Sequence, residues 1–571
     1  MLFNSWEFLV LCVITLGLYY LPVPGLRRKP WQVFVLLVAS ALFYAWEEPR
    51  LLILLGASCL LNAVAVERIL FWKGMADPTR SMVGRTRPDP PTSPSSAGGS
   101  IPSSQGLNVS RDALAAIRRE SGRIEPSPPY HSSKAKHWLF WTVALNLGFL
   151  AFFKYSGFLA NLFPDSLFPV SWKDWLSGIP LPVGISFYTF QGISLVVDVW
   201  RNDISPNTAD RLSARGKGRL TSIRDTSFYI SFFPQLVAGP IVKAHEFVDQ
   251  IGAKRFSDID WLTFRRCLIL GYFLKIFVAD NLAEQTGVLA LGAEQLAATG
   301  PINLMSLLYG YSLQIFADFG GYSLIAIGLG ALFGYKLPPN FNFPYLSTSI
   351  TEFWRRWHLS LSSWLRDYLY IPLGGNRKGS GRTYFNLFLV MFLGGLWHGA
   401  AWKFALWGSM HGIFLAVERL GKSQFRILNF GFWMNGTPRG AEVNSPSPSP
   451  QFKIQNSKFK ITLTAIKWLI TFHLVTALWL TFMMPDMASI AAFFQGVFSG
   501  RTGFSGPPIF SLLFYGSAVV LYHLWGWANE HYPNLGKHLR RSPLEPLIQG
   551  IMIFLVLTNP GAPRGFIYFQ F

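Results

Sequence analysis

The stretch Gly394-Gly-Leu-Trp-His398-Gly-Ala-Ala401 sets a titratable imidazole in the middle of an apolar run, residues 385–406, that is long enough to cross a bilayer. At membrane depth an ionisable side chain costs about 2.5–3.5 kcal/mol on insertion scales, and such groups persist where they line a cavity and serve chemistry or transport there. His398 therefore has two readings. It is a histidine packed against a neighbouring helix and satisfied by a backbone carbonyl, or it is a working group at an open site. Gly394, Gly395 and Gly399 favour the second, because they leave no side chain where a ligand or another backbone comes close.

The rest of the chain agrees with a lipid setting. Half of its 571 residues are hydrophobic, 16% are aromatic and only 14% are charged, against about a quarter charged in soluble domains. Mean hydropathy is +0.29. Apolar windows near the roughly 20 residues that span a hydrocarbon core recur at 6–23, 31–46, 51–72, 138–162, 181–199, 227–242, 267–291, 301–333, 384–406, 461–484, 508–527 and 547–557. The fold class is an all-α, polytopic integral membrane protein. Two windows are interrupted: 181–199 carries Pro182, Gly184 and Gly192, and Phe232-Phe-Pro-Gln-Leu-Val-Ala-Gly-Pro240 holds two prolines. Breaks of this kind survive at depth only where protein or a water-filled cavity satisfies the freed backbone.

The first span has few basic residues before it and no small-residue cleavage site, so it reads as a retained helix. Basic residues favour the cytoplasmic side of short loops. They follow span one (Arg27, Arg28, Lys29), span three (Arg80 through Arg123) and span five (Arg201 through Arg224), which places the N-terminus outside the cytoplasm, with Glu47, Glu48 and the 165–174 segment on the same side. The net charge of +20 (50 basic minus 30 acidic residues) is gathered in loops beside apolar spans. It suits an anionic lipid membrane better than nucleic acid. Cys12, Cys59 and Cys267 all fall inside apolar windows, leaving neither a disulfide framework nor a cysteine metal cluster. Residues 75–134 are rich in Ser, Pro and Arg and are expected to be disordered apart from a short helix near 112–119. Residues 442–457 read similarly, and 202–225 read as a shorter basic loop.

The densest polar block is Ser347-Thr-Ser-Ile-Thr-Glu-Phe-Trp-Arg-Arg-Trp-His-Leu-Ser-Leu-Ser-Ser-Trp-Leu-Arg-Asp-Tyr-Leu-Tyr370. Ser349 and Glu352 stand in capping-box spacing, so a helix should begin there. Trp354, Trp357, Leu361, Trp364 and Tyr368 then form one aromatic stripe at steps of three and four, with Glu352, Arg355, Ser362, Arg366 and Asp367 largely off it. The pattern predicts an amphipathic helix at the membrane interface, aromatic rings at headgroup level and cations outward. His358 sits at the edge of the stripe. The following turn, Ile371-Pro-Leu-Gly-Gly-Asn-Arg-Lys-Gly-Ser380, is either an anchoring turn or a phosphate-holding loop for a donor such as coenzyme A, although it matches no P-loop spacing.

Asp318 is another costly group at depth, with Gln314 four residues earlier on the same helix face. It reads either as a structural hydrogen-bonding carboxylate or as a supporting catalytic group. Asp198 and Arg201 read as an ion pair or an interface anchor. His411 lies 13 residues beyond His398 and points away from it on an unbroken helix, but an interruption at Gly399-Ala-Ala permits the two to converge. His473 and His523 carry no motif and read as packing or interface residues. No metal site is expected from the histidine, cysteine and carboxylate spacing.

Taken in order, these phrases resemble the membrane-bound O-acyltransferase family, in the branch that acetylates alginate and other extracellular polysaccharides. The resemblance runs through Leu181-Pro-Val-Gly-Ile-Ser-Phe-Tyr-Thr-Phe-Gln191, Phe233-Pro-Gln-Leu-Val-Ala-Gly-Pro240, Leu337-Pro-Pro-Asn-Phe341, the 351–376 block, Leu396-Trp-His-Gly399 and Phe566-Ile-Tyr-Phe-Gln-Phe571, with Trp354-Arg-Arg-Trp-His358 and Trp397-His398-Gly399 as its most specific phrases. It implies roughly a dozen transmembrane and re-entrant helices around a central tunnel or funnel. It also places the family's catalytic histidine at His398 and the branch's second histidine at His358. The implied division is N-terminal helices over 1–74, a cytoplasmic insertion over 75–134, a catalytic core over 135–420, a loop insertion over 421–460 and C-terminal helices over 461–571. The implied reaction draws an acyl group from a cytoplasmic thioester, acetyl-CoA or another, with no tightly bound cofactor. The acyl group passes outward to a polysaccharide or an acyl-accepting, hydrolase-like partner protein, in the inner membrane of the cell. The chain departs from the branch at Gly320, where serine is frequent, and at Leu324, where aspartate is frequent, so the polar lining near Asp318 is thinner.

The chemistry stands apart from the name. Esterifying a hydroxyl from a thioester requires a base within hydrogen-bond reach, and a neutral imidazole suits it. His398 is expected to be general base or transient acyl carrier, with His358 as second histidine and Asp318, His411 and Gln314 in support. Arg355, Arg356, Arg377 and Lys378 are the candidate cations for an anionic donor. Two rivals remain open at this point: a transporter or flippase using the same broken helices, and a scaffold for a polysaccharide synthase.

Overall fold

The computed structural model describes residues 1, 3–46, 48–76, 133–213, 218–237, 239–290, 292–434, 450–499 and 509–567. Within them every regular element is helical, as a chain that leaves water must be when no barrel closes its edges. The longer helices are α1 Trp6–Tyr20, α2 Arg28–Ala45, α3 Leu51–Ala76, α4 Ser133–Ala160, α5 Ile185–Arg201, α6 Trp261–Tyr272, α7 Pro301–Leu332, α8 Gly379–His398, α9 Trp402–Met434, α10 Pro450–Leu478, α11 Ile509–His531 and α12 Leu544–Thr558. Five segments are long and apolar enough to cross a membrane: Leu51–Gly74, Ser133–Ala160, Pro301–Leu332, Phe459–Met483 and Ile509–His531. The chain is a multi-pass membrane protein.

Burial separates the middle of the bundle from its rim. Of the apolar window in α7, 89% is buried inside the protein, against 17% in α4. The central helix thus packs on protein around its circumference, whereas α4 turns Phe140, Trp141, Leu145 and Phe149 outward, as a lipid-facing helix does. Helices α3, α4 and α5 pack together as a trio, α6 runs against α7, and α8 with α9 forms a hairpin. After α6 the chain widens into a π-helical turn, Phe273–Asp280, that carries Lys275 inward.

Several sequence expectations change. The 385–406 window does not cross as one rod, because α8 ends at His398, Gly399 is extended, and α9 starts at Trp402. The interfacial helix expected from Ser349 is two short helices, Ile350–Trp354 and Leu359–Leu365, followed by a π turn, Arg366–Tyr370. Its start is as expected, with Ser349 Oγ accepting from Glu352 N at 3.1 Å. Its break falls at His358, whose φ of 45° lies in the left-handed region. Trp357 and Trp364 are buried, so the stripe packs into the bundle and not into headgroups. The basic stretch 202–225 contains the helix Pro206–Leu212 and the start of Arg219–Ser231, pinned where Asp225 accepts from Lys29 at 2.9 Å and Arg224 at 2.7 Å. Helices α9 and α10 occupy 421–434 and 450–460 of the expected 421–460 loop. The expected disorder over 75–134 and its helix near 112–119 lie outside the described residues but for the ends of α3 and α4.

Candidate active site

His398 is the last residue of α8, and its position follows from how that helix stops. The final carbonyls of any α-helix lack intrahelical donors. Here Gly399 N donates to Leu396 O at 3.2 Å, and α4 supplies further donors. Lys154 Nζ donates to Trp397 O at 2.5 Å and His398 O at 3.2 Å, while Tyr155 Oη donates to Leu396 O at 2.6 Å. A cation at a helix C-terminus also complements the helix dipole. The backbone of His398 is thereby held from a neighbouring helix.

The imidazole is caged by aromatic rings. Its centroid lies 4.9 Å from Trp397, 5.2 Å from Trp407 at an interplanar angle of 88°, and 5.0 Å from Phe482. It is 4% exposed, yet it borders a cleft of about 100 Å³ whose walls include Lys154, Pro182, Gly184, Phe187, Trp397 and His398. The broken start of α5 forms the facing wall, which gives the Pro182 and Gly184 interruptions a place in the site.

The glycines near His398 do not open the site. Gly395 faces Gly408 across the α8–α9 hairpin, and a Cβ on Gly395 would stand 2.3 Å from Phe404 O and 2.9 Å from Gly408 Cα. Close backbone approach is thus the use realised at Gly395, whereas a Cβ on Gly399 would meet the Phe404 ring and one on Gly394 the Leu365 side chain.

His358 and His411 approach His398 through two indoles. His358 is buried, its ring 4.7 Å from Phe319 and 6.0 Å from Trp397. His411 lies 4.7 Å from Trp407, and its Nδ1 accepts from Trp354 Nε1 at 3.3 Å, which puts its proton on Nε2. Trp397 packs on both His358 and His398, and Trp407 on both His411 and His398. The interruption at residues 399–401 is what lets His411 converge. The broken 350–365 segment joins the same cage: Trp364 stacks on Phe190 at 3.8 Å and 3°, and Phe190 stacks on Trp397 at 5.6 Å.

Residues 134–440 match the model of MBOAT, the membrane-bound O-acyltransferase family. This chain belongs to that family. As a membrane-bound O-acyltransferase it is 33% identical to the probable alginate O-acetylase AlgI of Pseudomonas aeruginosa, over 88% of its own length and 76% of the relative's. It is 34% identical to a peptidoglycan O-acetyltransferase of Helicobacter pylori, over 63% of this chain and 64% of that one. It is 32% identical to a teichoic acid D-alanyltransferase of Bacillus subtilis, over 41% and 58% respectively. The acyltransferase is thus an enzyme of acyl transfer, and the transporter and scaffold readings fall away.

The remaining sequence candidates lie elsewhere in the acyltransferase. Asp318 accepts from Lys275 Nζ at 2.7 Å on one oxygen and from Ile567 N at 2.8 Å on the other, so both of its oxygens are engaged. Lys275 also donates to Asp280 at 2.7 Å. Gln314 accepts from Thr286 Oγ1. Arg356 is held by Glu352 at 3.0 Å and Glu530 at 2.6 Å, which neutralises it as a donor-binding cation. Arg355, Arg377 and Lys378 are exposed. Asp198 and Arg201 are not paired with each other: Asp198 accepts from Tyr368 Oη at 2.6 Å and His245 Nδ1 at 2.9 Å, while Arg201 donates to Asp367 O at 3.2 Å. Both are anchors between elements. His473 and His523 each bond a carbonyl four residues earlier, at 2.7 and 2.8 Å.

Sequence reasoning missed Lys154 and Lys275. The signal was present, because each is a lysine inside an apolar window, the same anomaly that singled out His398.

Proposed function

We propose that this acyltransferase moves an acetyl group from a cytoplasmic thioester donor, such as acetyl-CoA, toward hydroxyls of an extracytoplasmic polysaccharide, with His398 as general base or acyl relay. The names of the relatives supply the acyl group and a polymeric acceptor: alginate and peptidoglycan for O-acetyl transfer, teichoic acid for D-alanyl transfer. The observation that carries the reading is the position of His398, at the end of a capped helix and on the wall of a cleft. An imidazole held there is placed to take the proton of an acceptor hydroxyl as its oxygen attacks the thioester carbonyl, a contribution of about 10²–10⁴-fold for a positioned base. His358, one indole away, orients the reacting groups. The N-terminus lies on the extracytoplasmic side of the inner membrane, the basic loops rest on anionic lipid, and a hydrolase-like partner completes the ester.

Polysaccharide O-acetyl content in a His398→Ala strain, with the membrane level of the protein confirmed, tests the assignment. Loss of acetylation is expected, and wild-type acetylation rules the histidine out. Thioester hydrolysis by the purified protein, lost in the same variant, checks the chemistry without the partner.

A further inference from the structure

We infer that Lys154 is a catalytic residue of the transfer step, the donor that stabilises the oxyanion formed on the thioester carbonyl. The inference rests on the reading of His398 as the base.

Lys154 sits in α4, one of the helices apolar and long enough to cross the membrane. A lysine inside such an apolar stretch is costly, and one that remains there has a task. Capping two carbonyls does not by itself require a cation, since the neutral hydroxyl of the adjacent Tyr155 caps Leu396 O at 2.6 Å. An ammonium carries three N–H donors, and the described contacts use two, on Trp397 O and His398 O. Those two carbonyls fix Nζ in space beside His398, 5.8 Å from the Trp397 ring centroid. Lys154 and His398 border the same cleft, so one cavity wall presents both a base and a pre-oriented positive donor.

The step balances with the groups present and the two substrates. The acceptor O–H gives its proton to His398 as the oxygen forms a bond to the thioester carbonyl carbon. The carbonyl π electrons move onto oxygen, and Lys154 donates to that oxyanion. Collapse re-forms C=O, breaks C–S, and the departing thiolate takes the proton from His398. A donor aimed where charge develops, in a site poor in water, typically contributes about 10²–10³ in kcat.

The test uses the full chain purified in detergent with acetyl-CoA as donor, measuring kcat and KM separately. Lys154→Gln keeps neutral N–H donors for both carbonyls and removes the charge. We expect its kcat to fall about 10²–10³-fold while KM for the donor stays within about threefold. Retained kcat within about threefold means that the cap alone matters and overturns the proposal. If Lys154→Gln fails to accumulate, Lys154→Arg decides: activity within about tenfold of wild type is required, and a larger loss at wild-type membrane level overturns the proposal. His398→Ala is measured alongside. If it stays active, the reading of His398 fails and takes this one with it. If it is inactive while Lys154→Gln is not, only the role of Lys154 fails.

Discussion

Gly408 of α9 lies so close to α8 that a Cβ added to it would stand 2.3 Å from Met391 O and 3.0 Å from Gly395 Cα. Hydrogen is the only side chain that fits both positions. Because α8 ends three residues after Gly395, this contact sets the depth of the hairpin and with it the place of His398.

The first prediction tests that closure. Gly408→Ala must push backbone against backbone, for which overpacking costs of about 1–3 kcal/mol are typical. We expect a lower thermal midpoint in detergent and a loss of activity larger than the loss of folded protein. Gly394→Ala is the control, since its Cβ meets only the flexible Leu365 side chain at 3.2 Å. Equal behaviour of the two variants would show that the hairpin does not position the imidazole.

A second prediction concerns His358, whose φ of 45° is a conformation that most side chains avoid. Asparagine tolerates it and lacks an imidazole. His358→Asn should therefore keep the fold and its thermal midpoint while lowering kcat at least about tenfold, as expected for a group that orients reactants. Full activity in His358→Asn would reduce the residue to a turn-former.

The third prediction separates Asp318 from the chemistry. Lys275 lies between Asp280 and Asp318 at 2.7 Å from each, and Ile567 N closes the second oxygen of Asp318, so the group ties α7 to the C-terminal segment. Removing one partner of a buried ion network costs about 3–5 kcal/mol. Lys275→Met should sharply reduce the membrane level. Asp318→Asn should lower the level less and leave kcat per folded molecule unchanged. A kcat loss in Asp318→Asn at normal level would return Asp318 to the catalytic machinery.

How much of this was legible in the sequence depends on whether the physics was local. Composition and window length gave the membrane class and the helices, because the cost of unpaired backbone in lipid is the same at every position. His398 was legible as an ionisable group in an apolar run, and its family phrase pointed to acyl transfer. The break at His358 was not, since the aromatic stripe fits one continuous helix and the contacts around the turn come from outside it: Leu359 N donates to Asn340 O and Asn342 N to Arg356 O, each at 2.9 Å, and Trp364 stacks on Phe190, 174 positions away. The purpose of the glycines was likewise hidden, because an open cavity and a close backbone leave the same mark in sequence. Arg356 has one partner, Glu352, four residues away and so legible in the sequence, but the second, Glu530, is remote in the chain.

The last prediction follows from the pair His245 and Asp198, at the far end of α5 from the cleft. Asp198 is 13 residues beyond Ile185 on one helix, about 20 Å at 1.5 Å per residue. Its carboxylate accepts from His245 Nδ1 at 2.9 Å and from Tyr368 Oη at 2.6 Å, with Glu246 and Lys243 also facing the imidazole. The hydrogen bond to Asp198 raises the pKa of His245 above its ordinary 6.5, against a smaller opposing effect of burial. A raised folded-state value means that the protonated imidazole stabilises the fold below the ordinary value, and that this contribution is lost as pH climbs through the raised one. The thermal midpoint should therefore decline as pH rises from 6.5 upward. His245→Gln should flatten that decline, with the midpoint at high pH little changed. A midpoint whose pH dependence is the same in wild type and His245→Gln would show that the pair does not couple protonation to folding.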